Sequence, residues 1–300
     1  MEAVKDMESV ENIQGINKIT WKQRMKSYKR TPLSFILWLL VNVAIILTVA
    51  VLFFLIGYIL VHGVPYLNKG LFALEYTSEN VSLFPAVINT LMMTGLSLLF
   101  AVPLGIFAAI YLVEYAKRGN KLVEVVRLTA ETLSGIPSIV YGLFGMLFFV
   151  NTLKLGLSIL SGAATMAIMI LPLIMRTTEE ALKSVPDSFR EGSFGLGAGK
   201  LRTVFRIVLP SAVPGILSGV ILGIGRIVGE TAALMYTAGT VAQIPKNIMG
   251  SGRTLALHMY VLSNEGFHID QAYATAVVLL IIVLIINAVS SFIAKRITKG

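Results

Sequence analysis

An arginine and a glutamate four residues apart, Arg226 and Glu230, stand inside GRIVGETAAL (225–234), within one of the most apolar stretches of the chain. A guanidinium is a permanently charged planar fork of N–H donors that suits an oxyanion. At a helix centre in a membrane each charge costs roughly 2.5–3.5 kcal/mol, so the pair needs a reason. Three remain open. The two charges neutralise each other so that the helix inserts; they lock the helix to a partner subunit; or Arg226 donates to a passing oxyanion, with Glu230 and Thr231 on the same path and the carboxylate keeping the site weak enough to release. A spacing of four sets Arg226 and Glu230 on one helical face. Ser211, Gly215, Gly219 and Gly223 recur at the same interval and make a strip of small side chains on which another helix can pack closely. Such a helix suits the centre of an interface between two membrane subunits.

Other chemistries are poorly served. With no cysteine, disulfides, Cys-zinc sites and thiol nucleophiles are excluded. His62, His258 and His268 are scattered and lack the short spacing of metal ligands. GLGAGKL (195–201) looks like a phosphate-gripping loop, but Phe194 occupies the place of its first glycine and Leu201 that of the hydroxyl on magnesium. No catalytic cluster of His, Asp or Ser is found, and no cofactor or metal is expected.

The elements that position these residues are membrane spans. The chain is 56% hydrophobic and 14% charged, with a mean hydropathy of +0.80, and runs long enough to cross a bilayer recur. Six spans are expected over 33–61, 83–113, 125–150, 155–175, 207–238 and 272–294, with Pro103, Pro137 and Pro172 inside them. Twenty of the 25 Lys and Arg fall in the leading tail, 114–127, 176–206 and the C-terminal end, against Lys69, Lys154, Lys246 and Arg253 in the other connections, with Arg226 inside a span. Positive charge marks the cytoplasmic side, so both termini are expected there. The net charge of +9 is thus explained by topology and lipid, without nucleic acid. Residues 1–32 read as a basic cytoplasmic tail and 33–300 as one transmembrane domain. Arg127 and Glu131, again four apart, lie near the cytoplasmic end of span three, and Ser134 and Ser138 flank Pro137. TLALHMYVLSNE, in the outside connection 239–271, is apolar enough for a short helix on the membrane face.

The loop 176–206 predicts a compact helical hairpin. Pro186 ends a first helix near Val185, Ser188 with Glu191 offers a capping box for a second, and Gly195, Gly197 and Gly199 supply its end. Glu191-Gly192-Ser193, Gly197, Ile207 and Leu209-Pro210 then match every spacing of E-A-A-x3-G-x9-I-x-L-P. This resembles the EAA loop of the binding-protein-dependent ABC-importer permeases; Gly192 and Ser193 replace alanines but stay small. GIPSIVYGLFG (135–145), GETAALMYTAGT (229–240) and RTLALHMYVL (253–262) look like the phosphate-specific branch of that family.

The resemblance, which covers about 33–298, implies an all-α type I importer fold of six helices in the bacterial cell membrane. It implies a non-enzymatic permease half of an ATP-driven phosphate importer, coupled to a separate ATPase through the 187–199 helix. Glu191, Gly192, Ser193, Gly197, Ile207, Leu209 and Pro210 become the coupling residues. The implied partners are a PstC-type permease in a heterodimer, two ATP-binding subunits and an extracytoplasmic phosphate-binding protein. Rival readings are a permease for sulfate, molybdate or tungstate, and a membrane scaffold reporting phosphate supply.

Overall fold

The computed structural model describes residues 32–117 and 119–299, without the side chains of 294, 295 and 297–299. The basic tail 1–32 therefore lies, but for the backbone of Pro32, outside the described residues. The described chain is helical: α1 Pro32–Gly63, α2 Phe84–Tyr115, α3 Lys121–Ser134, α4 Ser138–Thr152, α5 Ile159–Lys183, α6 Asp187–Gly195, α7 Lys200–Val228, α8 Ala232–Thr237, α9 Leu255–Glu265 and α10 Ile269–Lys299. Five helices are long and apolar enough to span a membrane, and the α3–α4 pair makes a sixth crossing if counted as one span.

Two units are distinguished. Residues up to Tyr58 form the first, essentially the body of α1. It is apolar on all sides, and its few polar groups fold onto its own backbone: Asn42 Nδ2 donates to the Trp38 carbonyl at 2.7 Å and Thr48 to that of Ala44 at 2.8 Å. In a membrane that satisfies them without water.

The second unit, from Ile59 onward, is built around α5. Its central core joins Met93 and Ala101 of α2, Met166, Met169, Ile170 and Ile174 of α5, Ile227 of α7 and Leu234 of α8. A second cluster, at the end nearest α6, joins Ile110, Val123, Leu182, Val204 and Val208. Ser158 caps α5 by accepting from the Ser161 amide, and the Gly250 and Ile248 carbonyls take the first amides of the helix. The orphan donors of a helix start are met here by the outside connection. That connection carries α9, with Leu255, Leu257 and Leu262 buried.

The small strip on α7 is occupied from within the same chain. A Cβ at Gly215 would stand 2.6 Å from the Ala181 Cβ, one at Gly219 would overlap the Thr177 side chain, and Gly223 faces Ile170 and Ile174. The expected subunit-interface strip is thus the α5–α7 contact, and Ser211, exposed and bonded to its own Ile207 carbonyl, stands outside it.

Two expected spans are broken. The segment read as 125–150 bends by 103° between α3 and α4. Ile136 precedes a proline and is biased away from helix, so α3 stops at Ser134 and Pro137 caps α4 rather than lying inside a span. Tyr141 Oη closes the corner by donating to the Leu133 carbonyl at 2.8 Å, and Ser134 Oγ satisfies its own helix at Ala130. The segment read as 207–238 stops at Val228, before three unwound residues and the short α8.

Candidate coupling loop and intramembrane charged site

The break after Val228 separates Arg226 from Glu230. Gly229 ends α7, and Glu230 Oε1 accepts from the Ala233 amide at 3.1 Å, capping α8 from just ahead of Thr231. The one-face pairing expected from a spacing of four is therefore corrected: it presupposes an unbroken helix, and Glu230 serves a helix start instead. Glu230 is 9% exposed and Arg226 half-buried. No carboxylate of the described residues lies within 4.0 Å of the Arg226 nitrogens. Its charge acts on Tyr141 of α4. Thr231 opens onto an apolar cleft of about 580 Å³ whose wall includes neither Arg226 nor Glu230.

Two segments far apart in sequence meet at this break. A Cβ at Gly142 would come 2.8 Å from the Ala233 Cα, and one at Gly145 would overlap Thr165 and stand 2.7 Å from Thr237 Cγ2. GIPSIVYGLFG and GETAALMYTAGT thus pack backbone to backbone as α4 against α8, and glycine is required because no side chain fits between them.

Between the spans α5 and α7, α6 and the start of α7 form the expected hairpin, with one correction. α6 begins at Asp187 with Pro186 at its cap and no side-chain cap bond, so the Ser188–Glu191 box does not form. The other end follows from Gly197. Its φ is +80°, the Gly197 amide donates to the Phe194 carbonyl and the Ala198 amide to that of Ser193, which is the paired closure of a left-handed helix end. Ser193 is buried, its Oγ 2.8 Å from Thr203 Oγ1 of α7. Gly197, Ser193 and Ile207 line one cleft of about 300 Å³ between the end of α6 and the base of α7. Leu209 packs against the second core cluster, whereas Glu191, Gly192 and Pro210 are exposed.

Several residues of this region escaped the sequence reading. Phe189, Phe194, Leu196 (91% exposed), Leu201 and Phe205 give the hairpin an apolar outer surface; aromatics recurring in a polar loop were the available signal. Arg190 turns inward, its Nη2 2.7 Å from Glu114 Oε1 in the last turn of α2. Glu179, 8% exposed on its side chain, is held by Arg127 of α3 at 2.7 Å and Lys183 at 2.6 Å. Arg176 lies 3.7 Å from both Glu131 and Glu180. Arg127 and Glu131 therefore each reach across to α5 instead of to each other.

Another buried charged group belongs to the 239–271 connection. Arg253 is 4% exposed, its guanidinium 4.8 Å over the Tyr76 ring, and no carboxylate of the described residues is within 4.0 Å. The same tyrosine meets His258 edge-on at 6.1 Å. Burial, then the Arg253 charge, push His258 down to about 3 against a weaker pull from the Val81 backbone.

A set of membrane-spanning helices with a helical hairpin between two of them defines a class, and the sequence agrees. Residues 101–300 match the family described as the binding-protein-dependent transport system inner membrane component, and the chain belongs to it: it is a multi-pass permease subunit of an ABC importer, a transport component rather than an enzyme. Among relatives, the probable ABC transporter permease protein YqgI of Bacillus subtilis is 33% identical over 273 residues, 83% of this chain and 91% of that one. The phosphate transport system permease protein PstA 1 of Mycobacterium tuberculosis (strain CDC 1551 / Oshkosh) is 36% identical over 219 residues, 71% of each chain. Solved structures share the fold at 19% identity. They include a bacterial alginate ABC transporter with its pentasaccharide-bound periplasmic protein, at TM-score 0.66 over 91% of this chain and 98% of that one. The inward-facing MetNI methionine transporter gives 0.56 over 72% and 94%.

Proposed function

We propose that the chain is one permease half of an ATP-driven inorganic phosphate importer. The observation that carries this is the α4–α8 contact at the break in α7. It joins the two segments that resemble phosphate permeases, beside an arginine that no carboxylate of the described residues neutralises. Relatives 36% identical carry the phosphate-permease name, which supports the same substrate. Arg226 offers its fork to the phosphate oxygens. Glu230, holding the start of α8 close by, supplies negative charge that speeds release, and Thr231 borders the path.

The assembly consists of this chain, a PstC-type permease, two separate ATPase subunits and an extracytoplasmic phosphate-binding protein, with both termini cytoplasmic. The α6 hairpin seats in the ATPase through Glu191, Gly192 and the exposed Phe189, Phe194 and Leu196, an apolar patch that suits burial by a partner. Gly197 and Ser193 set its shape, and Ile207, Leu209 and Pro210 carry it into α7.

Uptake of labelled phosphate by cells expressing the whole transporter tests this reading, with Arg226→Gln alongside and co-purified ATPase as the assembly control. Uptake is expected to withstand excess sulfate, molybdate and tungstate and to collapse in Arg226→Gln. Competition by one of those anions would move the substrate to that oxyanion. Undiminished uptake in the variant would remove Arg226 from the path.

A further inference from the structure

α6 is tied to the membrane helices at two points of different chemistry. Toward α7, against whose first turns α6 packs, the side-chain hydrogen bond is a neutral one between the Ser193 and Thr203 hydroxyls. Toward α2 and α5 the tie is one guanidinium whose five bonds include two to α2, one to α5, one to the link between α5 and α6 and one within α6. Arg190 Nε and Nη2 donate to Glu114 Oε1 at 3.1 and 2.7 Å, and Nη2 also to the Leu182 carbonyl at 2.9 Å. Nη1 donates to the Val185 carbonyl at 2.8 Å and to Asp187 Oδ1 at 3.1 Å. The Arg190 and Glu114 side chains are only 14% and 8% exposed, so water screens this pair little, whereas Asp187 at 78% is an open surface acceptor.

The acceptors show what is being joined. Glu114 lies in the wide turn Tyr111–Tyr115 that ends α2. The Leu182 carbonyl is among the last of α5, where a helix has unpaired acceptors and favours a cation. Val185 belongs to the link between α5 and α6. A rigid planar fork bonded in several directions fixes both the position and the orientation of α6 against α2 and α5; one hydroxyl pair fixes a distance and leaves a pivot.

We infer that Arg190 and Glu114 are positioning residues for transport: their ion pair passes displacement of α6 to α2 and α5, while the Ser193–Thr203 contact acts as the hinge toward α7. This rests on the proposed seating of α6 in an ATPase. The loss of Arg190 therefore uncouples hydrolysis from transport, leaving an ATPase that turns over on a permease that does not follow.

The test is phosphate moved per ATP hydrolysed in proteoliposomes holding the whole transporter, with binding protein added outside. Arg190→Ala is expected to lower that ratio about tenfold or more, since several charge-assisted bonds are lost, while hydrolysis stays near the parent's. Arg190→Lys should fall between, because an ammonium cannot serve all the acceptors at once. Glu114→Gln, which keeps an acceptor but not the charge, should lower the ratio by a smaller factor. Asp187→Asn should match the parent. A ratio unchanged in both Arg190→Ala and Glu114→Gln overturns the inference, whatever happens to yield or melting temperature. So does a proportional fall of hydrolysis and transport. If Arg190→Ala no longer retains the ATPase, Glu114→Gln, altered outside α6, decides by the same ratio. A parent complex that moves no phosphate, or binds no ATPase, sinks the functional reading itself; a transporting parent with an unchanged ratio in the variants sinks only this inference.

Discussion

At the hairpin ends of α2, α3 and α5 the buried carboxylates are answered by cations: Glu114 by Arg190 of α6, and Glu179 by Arg127 of α3 and by Lys183 one turn along its own helix. At the break between α7 and α8 the same two kinds of side chain are kept apart, Glu230 bonded to a peptide N–H and Arg226 to no carboxylate of the described residues. Both arrangements bury charge at a cost, and only the first recovers it inside the chain. A closed ionic network suits a region that must keep its shape while it is moved. An arginine left open suits a region whose counter-ion comes and goes.

The largest expected effect tests that contrast. Arg226→Gln should reduce phosphate uptake by about 100-fold or more, the equivalent of two charge-assisted hydrogen bonds to the substrate. The melting temperature of the purified complex should barely move, because Arg226 has no ion pair among the described residues to lose. A large fall in melting temperature with uptake per complex preserved would make Arg226 a structural charge, and the contrast would fail.

The outside connection sharpens the comparison, since Arg253 is also without a carboxylate among the described residues but is closed over by Tyr76. His258 beside it is held neutral, with its pKa lowered to about 3. The unfolded chain takes up this proton near pH 6.5 and the folded chain does not. Stability is therefore complete above about pH 6.5 and falls as the pH drops toward 3. At pH 5 the loss is about 2 kcal/mol. Melting of the complex between pH 7.5 and pH 5 should show a decline that His258→Gln removes, whatever melting temperature that variant starts from. An equal decline in the variant would assign the acid sensitivity to other groups.

A smaller effect is expected at Glu179. Its carboxylate is buried but its partners are 41% and 53% exposed on their side chains, so water recovers part of what Glu179→Gln removes. A loss of about 1–2 kcal/mol follows, read as a melting temperature a few degrees lower. No change would mean that the network at this end is decorative.

Length and apolarity made the straight helices legible: α1, α2 and α5 cover 33–61, most of 83–113 and 155–175. Hydropathy runs through Gly135–Pro137 and Gly229–Thr231 without a mark, so it missed both breaks. The bend depends on a proline's effect on its neighbour, and the second break on Glu230 finding the Ala233 amide. Four-residue spacing failed for Arg226–Glu230 and for Arg127–Glu131 alike, because local periodicity does not know which helix stands opposite. Arg190 and Glu114, 76 residues apart, left no trace in any window. The coupling motif was legible because its spacing encodes a local shape.

The two glycines of that motif separate its shape from its surface, and they test whether the hairpin region is as fixed as its ion pairs imply. Gly197 has φ +80°, and an added Cβ there meets nothing within 4 Å. Its need for glycine is thus purely conformational, and Gly197→Ala should cost about 1–2 kcal/mol, weakening the closure that follows Ser193 and lowering ATPase retention severalfold. Gly192 also meets nothing within 4 Å but lies inside α6, where alanine is favoured over glycine by about 1 kcal/mol. Gly192→Ala should therefore leave ATPase retention unchanged or slightly raised. Opposite signs from one methyl group, five residues apart, would place the rigidity of the loop in its left-handed end. If both variants weakened retention alike, the partner would be reading a close backbone approach along the whole of α6, and the rigid-lever picture of the hairpin would give way to one of surface fit.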